Sequence, residues 1–83
     1  MSIPKVSIEQ VKAARALLRL SQTDLAKLSG ISIPTIKRLE ASTGTIGGRD
    51  GTTTAIRNAL EAAGVEFIAE NGGGAGVRLK RNG

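Results

Sequence analysis

The stretch Ser21-Gln-Thr-Asp-Leu-Ala-Lys-Leu-Ser-Gly-Ile-Ser-Ile-Pro-Thr-Ile-Lys-Arg-Leu-Glu40 decides the fold of this 83-residue chain. It is typical of two short helices joined by a tight turn at Gly30-Ile31, where glycine permits a positive φ. Ser21 is placed to cap the first helix, and Asp24 follows at the spacing of a capping box. Ser32 is placed to cap the second helix, which we expect to run over about residues 33–41.

Apolar residues in this stretch give each helix an inward face. We expect Leu25, Ala26 and Leu28 to be buried in the first helix, and Ile36 and Leu39 in the second. Each cap in the first 40 residues is also flanked by an apolar pair at the spacing of a hydrophobic staple. These pairs are Val6 with Val11, Leu20 with Leu25, and Ile31 with Ile36.

Two further helices are predicted around this pair. Ser7 caps the earlier one, with Gln10 at capping-box spacing. Its expected inner face consists of Val11, Ala14, Leu17 and Leu18. A glycine-rich loop over residues 41–51 precedes a helix expected over Thr53–Ala63, which Gly64 ends. The expected inner stripe of this helix consists of Ile56, Ala59, Leu60 and Ala63.

The period of the apolar pattern changes after Gly64. Residues 65–70 and 77–81 alternate in the manner of strands, and the glycine-rich residues between them are typical of a turn. Pairing Glu70 with Gly76 would place Glu66 opposite Lys80. The alternative is a disordered glycine-rich tail. The whole chain is therefore predicted to be mainly α, with four helices and a C-terminal β-hairpin.

Composition limits the function. Twelve basic residues against seven acidic ones give a net charge of +5, which favours a polyanionic partner. Phe67 is the single aromatic residue, so the core must consist of aliphatic side chains, and stacking on single-stranded bases is disfavoured.

An enzyme is not expected, because the chain has no His and no Cys and therefore lacks the common nucleophile–base pairs. The acidic residues are scattered over different elements, so we expect no metal site and no cofactor. The glycines of residues 72–76 are interpreted as a hairpin turn rather than a phosphate cradle. No segment approaches the roughly 20 apolar residues of a membrane span, and a cytoplasmic location without a membrane partner is expected.

Double-stranded DNA is the predicted partner, because a helix of this length fits the major groove and its N-terminal residues can reach base edges. Lys37 and Arg38 can donate to guanine, Ile33 and Pro34 can contact thymine methyls, and Thr35 can donate to a base or a phosphate. The alternative for the two cations is an ordinary solvated helix face. The base-edge candidates are Ile33, Pro34, Thr35, Lys37 and Arg38.

Phosphate contacts are predicted on both sides of this helix. The N-terminal amides of the preceding helix favour an anion, and residues near the start of the last helix could hold the other side of the groove. The phosphate candidates are Gln22, Thr23, Arg49, Thr52 and Thr53.

The motifs Ser21-Gln-Thr-Asp-Leu-Ala26, Gly30-Ile-Ser32 and Thr35-Ile-Lys-Arg-Leu-Glu40 resemble the Cro/phage-repressor (XRE) family of helix-turn-helix regulators. The resemblance covers roughly residues 8–63. It implies a lambda-repressor-like helical domain that binds a two-fold symmetric operator as a dimer and controls transcription. By analogy, Gln22 would bind phosphate, and Ile33, Pro34 and Lys37 would lie where the family reads bases.

The resemblance also implies a structural ion pair between Arg15 and Glu40. The chain departs from the family in three places: Ile33 and Pro34 stand where polar readers are common, residues 65–81 replace the usual fifth helix, and the loop before the last helix is unusually rich in glycine.

We expect residues 1–63 to form the DNA-binding domain and residues 64–83 to form a hairpin that makes the chain a homodimer, because an isolated two-stranded ribbon is marginal in water. A rival arrangement packs the hairpin only on the last helix of its own subunit. Two other functions stay open: a DNA-binding antitoxin that holds a toxin protein, or an anti-activator that binds protein alone. The dimerisation candidates are Val65, Phe67, Ile68, Val77 and Leu79.

Overall fold

Four helices precede a two-stranded antiparallel sheet in the computed structural model, which describes residues 6–43, 51–70 and 72–80. The prediction of a mainly helical chain that ends in a hairpin is confirmed. The elements are α1 (Ile8–Leu18), α2 (Gln22–Ser29), α3 (Ile33–Glu40), α4 (Thr52–Ala63), β1 (Val65–Ile68) and β2 (Gly76–Leu79).

The first three helices begin at the predicted serine caps. The hydroxyls of Ser7 and Ser21 accept the N–H of the residue three positions on, and both capping boxes are complete. The Ser32 hydroxyl accepts the N–H of Thr35. These bonds satisfy donors that a helix start would otherwise leave without a partner.

Two helices end in the left-handed region. Gly30 ends α2 with φ +76°, as its position in the sequence indicated. Arg19 ends α1 with φ +57°, a conformation that favours glycine, and the sequence did not mark this residue as a helix end.

The core lies where α1 meets the other elements. Helix α1 packs against α3, α4 and both strands, and α2 packs against α3 and α4. All six residues of the three predicted staple pairs lie in the core or pack against it. The buried apolar residues are Val6, Ile8, Val11, Ala14, Leu25, Ile36, Ile56, Ala59, Leu60 and Val65.

Three residues expected inside are exposed. Leu17 and Leu28 keep 43% and 54% of their surface accessible, and Ala63 is also exposed. The buried stripe of α1 is centred on Ala14 and drifts toward Leu18, which turns Leu17 outward. On α2 the residue one turn beyond Leu25 on the inner side is Ser29, so Leu28 faces away. Ala63 is the last residue of α4, beyond the part of the helix that covers the core.

The hairpin forms, but the expected register is wrong by two residues. Ile68 rather than Glu70 lies opposite Gly76, and Glu66 lies opposite Arg78 rather than Lys80. The strands are shorter than the predicted 65–70 and 77–81, and residue 81 lies outside the described residues. A shift of two residues keeps every side chain on its expected face. The bond from the Lys80 N–H to the Gly64 carbonyl (2.8 Å) begins the ladder directly at the end of α4.

The hairpin docks on the helices of its own chain. Val65 is fully buried, and Phe67 and Val77 pack against the core. The hairpin contacts α1 as well as α4, so the alternative in which it packs only on the last helix of its own subunit is wrong. On α1, the side-chain amide of Gln10 donates to the carbonyls of Ile68 (3.3 Å) and Gly76 (2.8 Å), which lie opposite each other on the two strands.

We expect Gln10→Ala to lower the free energy of unfolding by about 1–3 kcal/mol, because it removes buried hydrogen bonds to both strands and one from the N-cap backbone. Urea denaturation measures the change. The control is Glu9→Ala, an exposed neighbour in the same turn, for which the change should stay within about 0.5 kcal/mol. Equal effects of the two substitutions would contradict the anchoring role of Gln10.

Candidate nucleic-acid interface

Helix α3 has one buried side and one exposed side. Ile36 and Glu40 are buried against α1 and α2. On the other side, Pro34, Lys37 and Arg38 are exposed, which places three of the five base-edge candidates on one open surface. The remaining two candidates, Ile33 and Thr35, are half-buried.

The two ends of α3 differ in chemistry. Its first turn has no acidic side chain, and Pro34 lies within it. The Ser32 hydroxyl donates to the Thr35 hydroxyl (2.9 Å), so these two polar side chains are bound to each other. Both cations, Lys37 and Arg38, lie in the last turn. The exposed side of α3 is therefore mostly apolar at its start and positively charged at its end.

An ion pair holds the inner side of α3 in place. The Arg15 guanidinium on α1 donates to both carboxylate oxygens of Glu40, through Nε at 2.7 Å and Nη2 at 2.5 Å. Its remaining nitrogen, Nη1, donates to the carbonyl of Leu20 just before α2 (2.9 Å). The Glu40 side chain is 6% exposed and that of Arg15 is 21% exposed, so the pair is largely shielded from solvent. Such bidentate pairs are among the stronger charge-assisted contacts.

Helix α2 also contributes to this cluster. The Gln22 side-chain amide donates to Glu40 Oε1 (3.1 Å), and the Lys12 ammonium donates to the Glu40 backbone carbonyl (3.3 Å). Burial disfavours the Glu40 carboxylate, but the hydrogen bonds from Arg15 and Gln22, with the nearby charges, hold its pKa below the ordinary value. The hydrogen bond between Arg15 and Glu40 also raises the pKa of Arg15.

The phosphate candidates lie at two helix starts. Gln22 and Thr23 open α2, where Thr23 is exposed and Gln22 is half-buried against Glu40. Thr52 and Thr53 open α4, are half-buried, and each takes part in an interaction within the chain. Arg49 lies outside the described residues.

The dimerisation candidates differ in how deeply they are buried. Val65 is enclosed in the core, and Phe67 and Val77 face it. Ile68 is half-buried, and Leu79, which lies opposite Val65 in the ladder, is 53% exposed. Of the five, Leu79 therefore presents the largest exposed fraction.

Sequence reasoning missed several polar contacts, among them the bonds from Gln22 to Glu40, from Gln10 to the strands and from Lys12 to the end of α3. The capping-box spacing predicts a role for the side-chain oxygen of Gln10 alone. The side-chain N–H group that Gln has and the more common Glu lacks was the signal for the bonds to the strands. The bond from Lys12 to the end of α3 left no signal, because Lys12 has the exposure expected of any surface lysine.

Neither a metal-binding cluster nor a membrane-spanning helix is found in the described parts of the chain. Residues 6–43, 51–70 and 72–80 contain no cluster of three or more acidic side chains that could hold a metal ion. None of the helices described is long and apolar enough to cross a membrane.

A comparison with protein-family models matches residues 11–49 to the helix-turn-helix family HTH_3. The matched segment includes α1 from Val11 onward, α2 and α3, and therefore the Arg15–Glu40 pair and the exposed side of α3. No curated protein matches the chain at a significant level.

We expect Glu40→Ala to lower the free energy of unfolding by roughly 3 kcal/mol, because it leaves the Arg15 guanidinium poorly solvated without its partner. Chemical denaturation checks this value. Glu66→Ala serves as the control, because Glu66 forms a similar two-bond pair with Arg78 on the exposed face of the hairpin. The change at Glu66 should be much smaller, because solvent screens that pair.

The Glu40 pair also predicts a pH dependence. A carboxyl group whose pKa is lowered in the folded state stabilises the fold above its unfolded pKa, and this stabilisation is lost as pH falls through the folded pKa. Stability should therefore decline below about pH 4.5, the ordinary value for a glutamate, and Glu40→Gln should remove part of that decline. An unchanged acid limb in Glu40→Gln would contradict this assignment.

Proposed function

We propose that this chain, whose residues 11–49 form a helix-turn-helix domain of the XRE/Cro/CI type, is a transcriptional regulator that binds a specific double-stranded DNA sequence as a homodimer. The domain family binds DNA and is non-enzymatic. The chain is accordingly a DNA-binding regulator, and the operator contacts and the dimer are the proposal.

The exposed side of α3 carries the proposal. Ile36 and Glu40 fix the inner side of this helix, so Lys37 and Arg38 must face away from the protein body. Cationic side chains on the exposed side of a helix that fits the major groove can donate to guanine O6 and N7. Pro34 and Ile33 then lie at the end of the helix that enters the groove first.

Phosphate contacts on both sides of α3 would fix the position of the protein on the duplex. Helix α2 is joined to the proposed reading helix α3 by the turn at Gly30. Its start carries the exposed Thr23 and, beside it, Gln22. The start of α4, with Thr52 and Thr53, would hold the second side together with Arg49. The excess of positive charge, +5 on 83 residues, supports fast association with DNA.

The hairpin is the proposed dimer element, through its edges rather than its apolar face. Within the described residues the sheet contains β1 and β2 alone. Because Lys80 and Gly64 form a hydrogen-bonded pair, the alternation of the ladder turns the backbone groups of Val77 and Leu79 away from β1. Such an edge can pair with the same strand of a second molecule. The exposed side chain of Leu79 lies on this edge strand.

The dimensions of the molecule agree with this arrangement. Its principal extents are 34 × 29 × 23 Å, and two such bodies side by side can place their reading helices about 34 Å apart, one turn of DNA. Two reading helices are needed because one helix of eight residues makes few base contacts.

We expect Lys37→Ala and Arg38→Ala each to weaken binding to the selected operator by about 1–3 kcal/mol, because each removes a donor to a base edge. The operator is first obtained by selection from random duplex DNA, and affinity is then measured by fluorescence anisotropy over a series of salt concentrations. Wild-type binding should weaken steeply with salt, as phosphate neutralisation requires.

The matched control for these substitutions is Arg78→Ala, which removes the same charge from the hairpin, where Arg78 pairs with Glu66. It should leave operator affinity nearly unchanged. If the wild-type chain binds all duplexes alike, or if Arg78→Ala weakens binding as much as Lys37→Ala, the assignment of α3 as the reading helix is wrong. A chain that ignores DNA would favour the protein-binding alternative.

We expect Leu79→Lys to convert the dimer into a monomer, because it places a charge at the proposed strand–strand contact. Sedimentation velocity measures the change, and operator affinity should fall by about a hundredfold or more as the second half-site is lost.

The control for this substitution is Leu28→Lys on α2. Leu28 is 54% exposed and Leu79 is 53% exposed, so the two substitutions add the same charge at equally accessible leucines. A dimer that survives Leu79→Lys, or one that is lost equally in Leu28→Lys, would exclude the hairpin edge as the interface.

A further inference from the structure

We propose that the first turn of α3 reads the 5-methyl group of pyrimidines, so that thymine and 5-methylcytosine are equivalent to this protein at that position. This inference rests on the proposed function, because it requires α3 to lie in the major groove, where the C5 substituent of a pyrimidine is exposed.

Ile33 supplies the first observation. It is the first residue of α3 and is half-buried. Ile33 is nevertheless absent from the partly buried apolar side chains that pack against the core in the described structure, which are Leu18, Leu20, Ala26, Ile31, Leu39, Phe67 and Val77. The core therefore does not account for a β-branched aliphatic side chain at this position, in the turn of the helix that would enter the groove first.

Pro34 supplies the second observation. It follows Ile33 directly, is exposed, and has no N–H group. The backbone of the first turn therefore has one amide fewer to offer to a base or a phosphate. Two consecutive residues present hydrocarbon where a reading helix usually makes hydrogen bonds.

The polar groups of this turn are mostly occupied. The Ser32 hydroxyl donates to Thr35 Oγ1 (2.9 Å) and accepts the Thr35 N–H (3.4 Å). Residues 32–35 include no amide, carboxylate or guanidinium side chain, and these are the groups that identify adenine, cytosine and guanine by paired hydrogen bonds. What remains for the base is a hydrocarbon surface and the hydroxyl of Thr35, which keeps its proton and one lone pair.

A hydrocarbon surface distinguishes bases by whether a methyl group is present. Thymine and 5-methylcytosine carry that methyl at the same ring position, whereas uracil and cytosine lack it. The keto oxygen of thymine and the amino group of cytosine differ, but a single hydroxyl can donate to the one and accept from the other, so Thr35 does not distinguish them. Lys37 and Arg38, one turn further on, remain available for guanine.

The test compares four base pairs at each thymine of the selected operator: thymine·adenine, uracil·adenine, 5-methylcytosine·guanine and cytosine·guanine. At the contacted position we expect thymine and 5-methylcytosine to bind equally well. Uracil and cytosine should bind about fourfold more weakly, which corresponds to the roughly 0.8 kcal/mol of one buried methyl-sized group. Fluorescence anisotropy of the wild-type chain on these synthetic duplexes gives the ratios.

The protein side of the test uses the thymine-to-uracil affinity ratio, because a loss of stability does not change a ratio. Ile33→Ala should bring the ratio at the contacted position close to one, and Pro34→Ala should lower it. Leu17→Ala, an exposed aliphatic residue on α1, should leave it unchanged.

Two results would overturn the inference while leaving the proposed function intact. One is a selected operator at which every thymine-to-uracil ratio is near one. The other is a ratio that Ile33→Ala and Pro34→Ala do not change. A wild-type chain that selects no consensus sequence would instead reject the proposed function, and the inference with it.

Discussion

The contact between Arg15 and Glu40 is the constraint on which the arrangement of the helices depends. Helix α3 has eight residues, too few to be stable alone in water, and its buried side consists mainly of Ile36 and Glu40. The Arg15 side chain ties that carboxylate to α1 and also binds the Leu20 carbonyl before α2. Gln22 adds a bond from α2 itself. One buried carboxylate thereby fixes three helices relative to one another, and the direction of the exposed side of α3 follows.

This constraint explains how a short chain can present two kinds of chemistry on one helix. Because Ile36, Glu40 and the partly buried Leu39 settle which side is buried, Pro34, Lys37 and Arg38 are turned outward by helix geometry alone. The cations fall in the last turn and the hydrocarbon in the first. Neither Lys37 nor Arg38 is needed to hold α3 in place, since the bonds that do so come from Arg15, Lys12 and Gln22. The proposed binding to DNA and the folding of the protein therefore rest on different side chains of the same eight-residue helix.

Features that depend on neighbouring residues could be predicted from the sequence, and features that depend on distant packing could not. The caps at Ser7, Ser21 and Ser32 and the turn at Gly30 are local, because each is set by φ/ψ preferences and by bonds across three residues. The exposure of Leu28 depends on which side of α2 packs against α4. Helical periodicity alone defines that side only to within one residue. The hairpin register was wrong because the end of α4 starts the ladder at Gly64, whereas the glycine-rich turn fits several loop lengths.

The docking of the hairpin changes the physical argument for a dimer. A two-stranded ribbon that is isolated in water needs a second subunit for stability, but α1 and α4 of the same chain already cover the apolar face of this one through Val65 and Phe67. What remains is Leu79 and the outer edge of β2, to which the described residues add no third strand. The same packing ties the hairpin to the helices, because Gln10 on α1 donates to both strands. Since α1 also carries Arg15, a single helix connects the proposed dimer element to the proposed reading helix. The distance between two reading helices would then be set by the length and direction of α1 rather than by a flexible linker.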